Sequence, residues 1–152
     1  MKVLELDLSN HSYWLLKIKE SDWIAGQYLY ELIMNNKLTT MCGKSTRVLL
    51  LTRGLELISF CTLAEVDEID TPLSPWIGFV YTFPKYRGNR YMGVLIDYAE
   101  KIAISRGYKS IYISTEDTGI YEKYGFSFLK NMKTNRGEDS RVYVRELKNA
   151  KQ

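Results

Sequence analysis

Between Phe83 and Gly93 the chain reads FPKYRGNRYMG, which sets one proline, three positive charges, two glycines and two tyrosines directly ahead of a helical stretch. The first turn of a helix has N–H groups without intrahelical partners and carries the positive end of the macrodipole, so it attracts phosphates. Gly88 and Gly93 relieve crowding there, while Arg87 and Arg90 add formal charge beside the amides. The chemistry on offer is a grip on a pyrophosphate. A strand-to-helix turn that needs glycine for its φ angles and shows arginine to solvent would carry the same letters, so the surrounding elements must decide.

Other reactive residue types are sparse. Glu65, Asp67, Glu68 and Asp70 cluster after an apolar run, and an acidic mouth of this kind suits a cationic amine, although a solvated hairpin reads the same way. His11, the one histidine, lies far from both the acidic cluster and the glycine-arginine stretch and is expected at the surface or at a helix cap. Cys42 and Cys61 have neither the spacing of a zinc site nor the density of a disulfide framework, so free, reduced thiols are expected. No metal-ligating cluster stands out.

The elements that must position these groups follow from periodicity. Residues 12 to 36 read as helical, with Ser21 or Asp22 able to cap a second segment in which Ala25, Leu29, Leu32 and Ile33 recur at helical spacing. Gly26 inside that segment is a local cost. Two β-rich runs flank Arg53-Gly54, a hairpin signal. PWIGFVYTF, opened by Pro75, is so apolar that it is expected to be a strand buried on both faces. Leu95, Tyr98, Ala99, Ile102 and Ala103 then form one helical face opposite Asp97, Glu100 and Lys101, and Arg106-Gly107 supplies the stop. KSIYIST alternates as a strand, TGIYEKYG reads as a short helix closed by Gly125, and the remainder is a hairpin around Asn135-Arg136-Gly137. The predicted fold is mixed α/β with one central sheet, without repeats or linkers.

At 152 residues, 45% hydrophobic and 26% charged, the chain has the size and composition of a single globular domain spanning 1–152. A formal charge of +3, with 21 basic residues interleaved among 18 acidic ones, gives no nucleic-acid footprint. Arg87, Arg90, Arg136 and Arg141, the cations such a binder would use, are scattered. No apolar run approaches the roughly 18 residues of a membrane span, and a cytoplasmic location is expected.

Two blocks carry a family resemblance. Pro84, Arg87 and Gly88, followed by Leu95, Ile96 and Glu100 on the helix, resemble the strand, P-x-x-R-G-x-G-x-G/A loop and helix of the GNAT family of N-acetyltransferases. Tyr121, Glu122, Lys123, Gly125 and Phe126 are similar to that family's later F/L-Y-E-K-x-G-F block, and the resemblance covers residues 45 to 130. It implies a mostly antiparallel central sheet of about six to seven strands flanked by helices, with a splayed parallel pair at 76 to 83 and 109 to 115 that admits the arm of acetyl-coenzyme A (acetyl-CoA). In an ungapped match Arg90 and Met92 stand where the family has its second and third glycines.

What the resemblance implies for the site is specific. Main-chain groups of Val80, Tyr81 and Thr82 would hold the pantetheine arm and polarise the thioester, and Arg87, Gly88, Asn89, Arg90, Tyr91, Met92 and Gly93 would hold the pyrophosphate. Tyr121 would be the general acid for the departing thiolate, with Tyr124 as substitute. Ser114 stands where the family often has an asparagine seven residues before that tyrosine, and would keep one hydrogen bond to the arm. Glu65 is the choice for general base, directly or through a water. Trp14, Trp23, Tyr28 and Tyr30 would cover the acceptor pocket. The expected activity is direct transfer of acetyl to a primary amine of a small-molecule acceptor, without a metal. The alternative is a non-catalytic coenzyme A-binding sensor or regulatory module, and the C-terminal hairpin could pair two copies into a homodimer.

Overall fold

The computed structural model describes residues 1–148. In chain order it contains β1 (Lys2–Glu5), α1 (Ser12–Lys19), α2 (Ile24–Met34), α3 (Leu38–Cys42), β2 (Arg47–Arg53), β3 (Glu56–Ala64), β4 (Trp76–Thr82), α4 (Met92–Ser105), β5 (Ser110–Thr115), β6 (Ser127–Lys133) and β7 (Asp139–Glu146). Short 3-10 turns at Pro84–Tyr86 and Glu122–Tyr124 flank α4 and β5. The strands form one seven-stranded sheet in the order β1-β2-β3-β4-β5-β7-β6. Every neighbouring pair is antiparallel except β4 and β5.

Each sheet face has its own core. On one, Leu95, Ile96, Ala99 and Ala103 of α4 pack against Leu49, Ile77, Ile111 and Ile113. Burying each of these leucines and isoleucines stabilises the fold by about 1.5–3 kcal/mol. On the other, Leu15, Ile18, Leu29 and Ile33 of the N-terminal helices cover Val48, Leu50, Phe60 and Tyr81. The α4 stop behaves as expected from Arg106-Gly107: Gly107 takes φ +86°, and N–H groups of Gly107 and Tyr108 return to the carbonyls of Ile104 and Ala103.

The helical stretch from residue 12 is interrupted, and its break differs from the expected one. Trp23 holds the N-cap position of α2 with no side-chain cap bond. Ser21 is buried with its hydroxyl unpartnered, and the Asp22 carboxylate instead accepts the Tyr81 hydroxyl at 2.6 Å. Tertiary contact with the sheet outcompetes the local cap. Gly26, read as a cost, also makes room: a Cβ there would sit 2.2 Å from Ser21 Oγ, and that hydroxyl would have to turn away. His11 holds the N-cap position of α1, also without a side-chain cap bond.

Three further expectations change. β1 and α3 add to the elements that periodicity gives; β1 is a four-residue edge strand with charges at both ends, too short for alternation to register. The segment 118–125 forms only a 3-10 turn, ended by Gly125 at φ +84°. β4 is not buried throughout: Trp76, Ile77 and Tyr81 are, but Gly78, Phe79 and Val80 are half-exposed, because β5 leaves them.

Candidate active site

The departure of β5 makes the site. β4 and β5 pair only through Trp76↔Tyr112 and Ile77↔Ile113. β5 meanwhile stays paired to β7 from Ser110 to Thr115, so the divergence comes from β4. Its register against β3 slips opposite Cys61, between Phe60↔Tyr81 and Thr62↔Gly78. Phe79 in that bulge takes φ +49°, a conformation that costs a bulky residue on the order of 1–3 kcal/mol and that packing must hold in place. The bulge turns Phe79 toward the N-terminal helices and Val80 toward α4.

A cleft of about 510 Å³ opens at this divergence, lined by Val80, Tyr81 and Thr82 of β4, by Arg87, Gly88, Arg90, Tyr91 and Met92, and by Tyr121. Trp23, Tyr86, Asp117, Ile120, Lys123 and Tyr124 complete the wall. Asn89 and Gly93 stand behind the lining. The Asn89 side-chain amide donates to the Tyr86 carbonyl at 3.0 Å and braces the loop. At Gly93 a Cβ would approach Tyr124 Cε1 to 3.2 Å, so the glycine lets that ring close over the first turn of α4.

The loop has the features of an anion cradle. Gly88 takes φ +85° and Arg90 φ +57°. The left-handed backbone at Arg90 falls on the position where the ungapped match has a glycine. At this position the main chain takes a glycine-like conformation although the side chain differs. Among the described residues, no acceptor receives the N–H groups of Gly88, Asn89, Arg90 or Tyr91, so these donors are free for a ligand. Arg87 donates Nε to the Thr82 carbonyl at 2.8 Å and lies over the Tyr81 ring at 5.4 Å. That ring in turn stacks on Trp23, with centroids 5.5 Å apart. Free amides, two guanidiniums and a neighbouring lysine fit a pyrophosphate.

Tyr121 caps the second 3-10 turn. Its carbonyl accepts N–H groups of Tyr124 and Phe126, and its ring meets Phe126 edge-on at 6.1 Å. Burial pushes its phenol well above the usual tyrosine range, with Cys61, Asp117 and Tyr124 adding to the effect. The Cys61 thiol, itself pushed up to about 12 by burial, is an inert neighbour. Both cysteines are free.

Besides Asn89 and Gly93, two expected site residues, Glu65 and Ser114, lie outside the cleft wall. Glu65, chosen as base, has its Oε2 held by the Ser45 N–H at 2.7 Å and the Ser45 hydroxyl at 2.8 Å. Those bonds hold its carboxyl below the usual range, which makes it a weak proton acceptor occupied in a turn. Ser114 gives its hydroxyl to Asp67 Oδ2 at 2.9 Å and not to the cleft. Of the aromatics expected over the acceptor pocket, Trp23 lines the cleft, whereas Trp14, Tyr28 and Tyr30 are not in its wall; Asp117 and Ile120 had no sequence signal for this site. Lys123 sits in the second motif block without one marking its contact. Among the described residues no cluster of His, Cys, Asp and Glu could hold a metal ion, and no helix is long and apolar enough to cross a membrane.

Comparison with known proteins agrees with this architecture. The model of the acetyltransferase (GNAT) family matches residues 10–126, so the chain belongs to the GNAT acetyltransferase family. No curated protein sequence matches it. Among solved structures, the chain resembles an aminoglycoside 6'-acetyltransferase type Ii at 18% identity and TM-score 0.72, over 96% of this chain and 97% of the other. It resembles an aminoglycoside 6'-N-acetyltransferase complexed with coenzyme A at 16% identity and TM-score 0.66, over 96% and 97%. A mutant spermidine N-acetyltransferase from Vibrio cholerae superposes at 15% identity and TM-score 0.62, over 96% and 95%.

Proposed function

We propose that this protein transfers acetyl from acetyl-CoA directly to the primary amine of a small acceptor. The observation that carries the reading is that Gly88, Arg90 and Tyr91 with their unpaired amides, the diverging edge of β4 and Tyr121 line one cleft. A pyrophosphate on the loop would direct the pantetheine arm along Val80 to Thr82, where main-chain groups no longer paired to β5 can polarise the thioester carbonyl. Tyr121 then donates to the departing sulfur. The family membership and the small amines named for similar structures support this reading.

In the experiment, purified protein with acetyl-CoA is presented with spermidine, kanamycin and a lysine-containing peptide, and free thiol release is followed. Acetyl-CoA should raise the melting temperature, and at least one amine should release thiol above the hydrolytic background. Stabilisation without turnover of any amine would favour the second reading, a coenzyme A-binding sensor. One observation favours that second reading: the Ser114 hydroxyl is engaged by Asp67 and so is withdrawn from the cofactor arm. Pairing of two copies is proposed to use β6, the exposed sheet edge carrying Phe128 and Leu129.

A further inference from the structure

The reaction proposed above lacks a group to take the proton from an incoming ammonium, and Glu65 is occupied elsewhere. Two residues further on, Asp67 is in a different situation. Its Oδ2 accepts the Ser114 hydroxyl at 2.9 Å. Ser114 directly follows Ile113, the last β5 residue paired to β4. The carboxyl group therefore stands at the point where the two strands part. Ser114 and Tyr112 share one face of β5, and Tyr112 belongs to the small cluster of Trp76, Ile69 and Val142. Ile111 and Ile113 point the other way, into the α4 core. Asp67 thus approaches the divergence from the face opposite α4.

The two faces of the gap are lined differently. The α4 face of the gap is filled by Ile77, Val80, Ile113 and the helix. On the Asp67 face, the strand position beyond Trp76 and Ile77 is Gly78, where an added Cβ would meet only Thr62 Oγ1 at 3.2 Å. Beyond it, Phe79 leans on Tyr28 of α2 at 6.2 Å, and Tyr28 is 44% exposed. A side-chain-free floor, an aromatic wall and one carboxylate make a place for a small cationic group. The titratable and charged groups facing Asp67 are Cys42 from α3 and Glu68 from its own loop, with the Ser114 hydroxyl from β5. None of them is a cation that would neutralise it.

The geometry points to Asp67 as the residue that anchors the acceptor ammonium and takes its proton. This rests on the acetyltransferase reading above. The ammonium gives one proton to the carboxylate, and the neutral amine forms the C–N bond to the acetyl carbon. The C–S bond then breaks, and the sulfur takes the Tyr121 proton. The second N–H proton returns to the Tyr121 oxygen through water, and Asp67 releases its own proton to solvent. Burial pushes the Asp67 carboxyl up to about 6 against the opposing bond from Ser114. It is therefore ionised at neutral pH yet a stronger base than an exposed carboxylate.

The test uses the full chain, acetyl-CoA and whichever of spermidine, kanamycin or the lysine-containing peptide it acetylates fastest. Asp67→Asn should lower kcat/KM by about 100-fold at pH 7 and leave the acetyl-CoA dissociation constant within twofold. The wild-type profile of log kcat/KM should fall below pH of about 6, and this limb should be absent in D67N. Ser114→Ala removes a bond to the ionised carboxylate, so it should move the limb to higher pH, which a merely structural serine would not do. D67N within threefold of wild type, or an acid limb unmoved in S114A, overturns the assignment and leaves the acetyltransferase reading standing. A wild type that binds acetyl-CoA but acetylates none of these amines overturns both. If D67N fails to fold, the S114A limb decides.

Discussion

Arg145 of β7 donates Nη1 to the main-chain oxygen of Tyr124 at 3.2 Å. The same guanidinium reaches Asp97 at 3.0 Å and Glu100 at 3.2 Å on α4. One side chain, 17% exposed, therefore fastens the turn that carries Tyr121 to the helix that carries the anion cradle. Arg145→Met keeps the length and removes all three bonds, leaving Glu100 partly buried and unpaired. The loss should be about 2 kcal/mol, since breaking a fully buried pair costs more and an exposed one almost nothing. A melting temperature lower by roughly 5 °C, together with a lower kcat for the loosened turn, is the expected result.

Tyr121→Phe separates binding from chemistry. The ring still packs on Phe126 and the cleft keeps its shape, so acetyl-CoA affinity should stay within twofold while kcat drops by about 100-fold or more. The pH profile adds a sign. Because burial raises the phenol above its ordinary range, the proton is held more tightly than in a free tyrosine, and wild-type kcat should show no alkaline decline from this group up to pH of about 9. Equal turnover in the phenylalanine variant would remove Tyr121 from the mechanism.

Arg90 sets conformation against charge. Its left-handed backbone disfavours any side chain by about 1–2 kcal/mol, whereas the guanidinium adds a charge beside the free amides. Arg90→Gly should leave the melting temperature of the free protein unchanged or higher, yet weaken acetyl-CoA binding by about tenfold, the worth of one charge-assisted bond. Calorimetric titration alongside thermal melts of free protein would show the two effects moving in opposite directions.

The fold and the site differ in how much of them could be read from letters. The Pro84–Gly93 loop is legible because a helix N-terminus is a local object: glycine, arginine and the start of apolar periodicity all fall within ten residues. The hairpins at Arg53-Gly54 and Asn135-Arg136-Gly137 are legible for the same reason, and the seven-stranded sheet with its parallel pair matches what the resemblance implied. The break before α2 is different, because Asp22 is drawn off its capping role by Tyr81, 59 residues away. Trp23 reaches the cleft only because of that break. The acidic cluster shows the limit most sharply. Glu65 and Asp67 are both carboxylates at the end of β3, and only the path of the following loop sends one to Ser45 and the other to Ser114.

Asp67 also leaves a mark on stability that needs no substrate. Its carboxyl titrates at about 6 in the fold against an ordinary 3.8, so the native state binds the proton more tightly than the unfolded chain does. The stability linked to this group is then fully present below pH of about 4 and is lost as pH rises through about 6. Asparagine at this position carries no such titration, and the other carboxylates are common to both proteins, so they cancel in the difference. Urea unfolding at pH 5 and pH 8 should therefore show D67N gaining on wild type by on the order of 1 kcal/mol between the two conditions. A difference that stayed constant across that range would mean an Asp67 carboxyl with an ordinary affinity for its proton, open to water instead of enclosed beside Ser114. The gain should accrue between pH of about 4 and about 6 and level off above that, where the carboxylate is ionised and available to an ammonium ion.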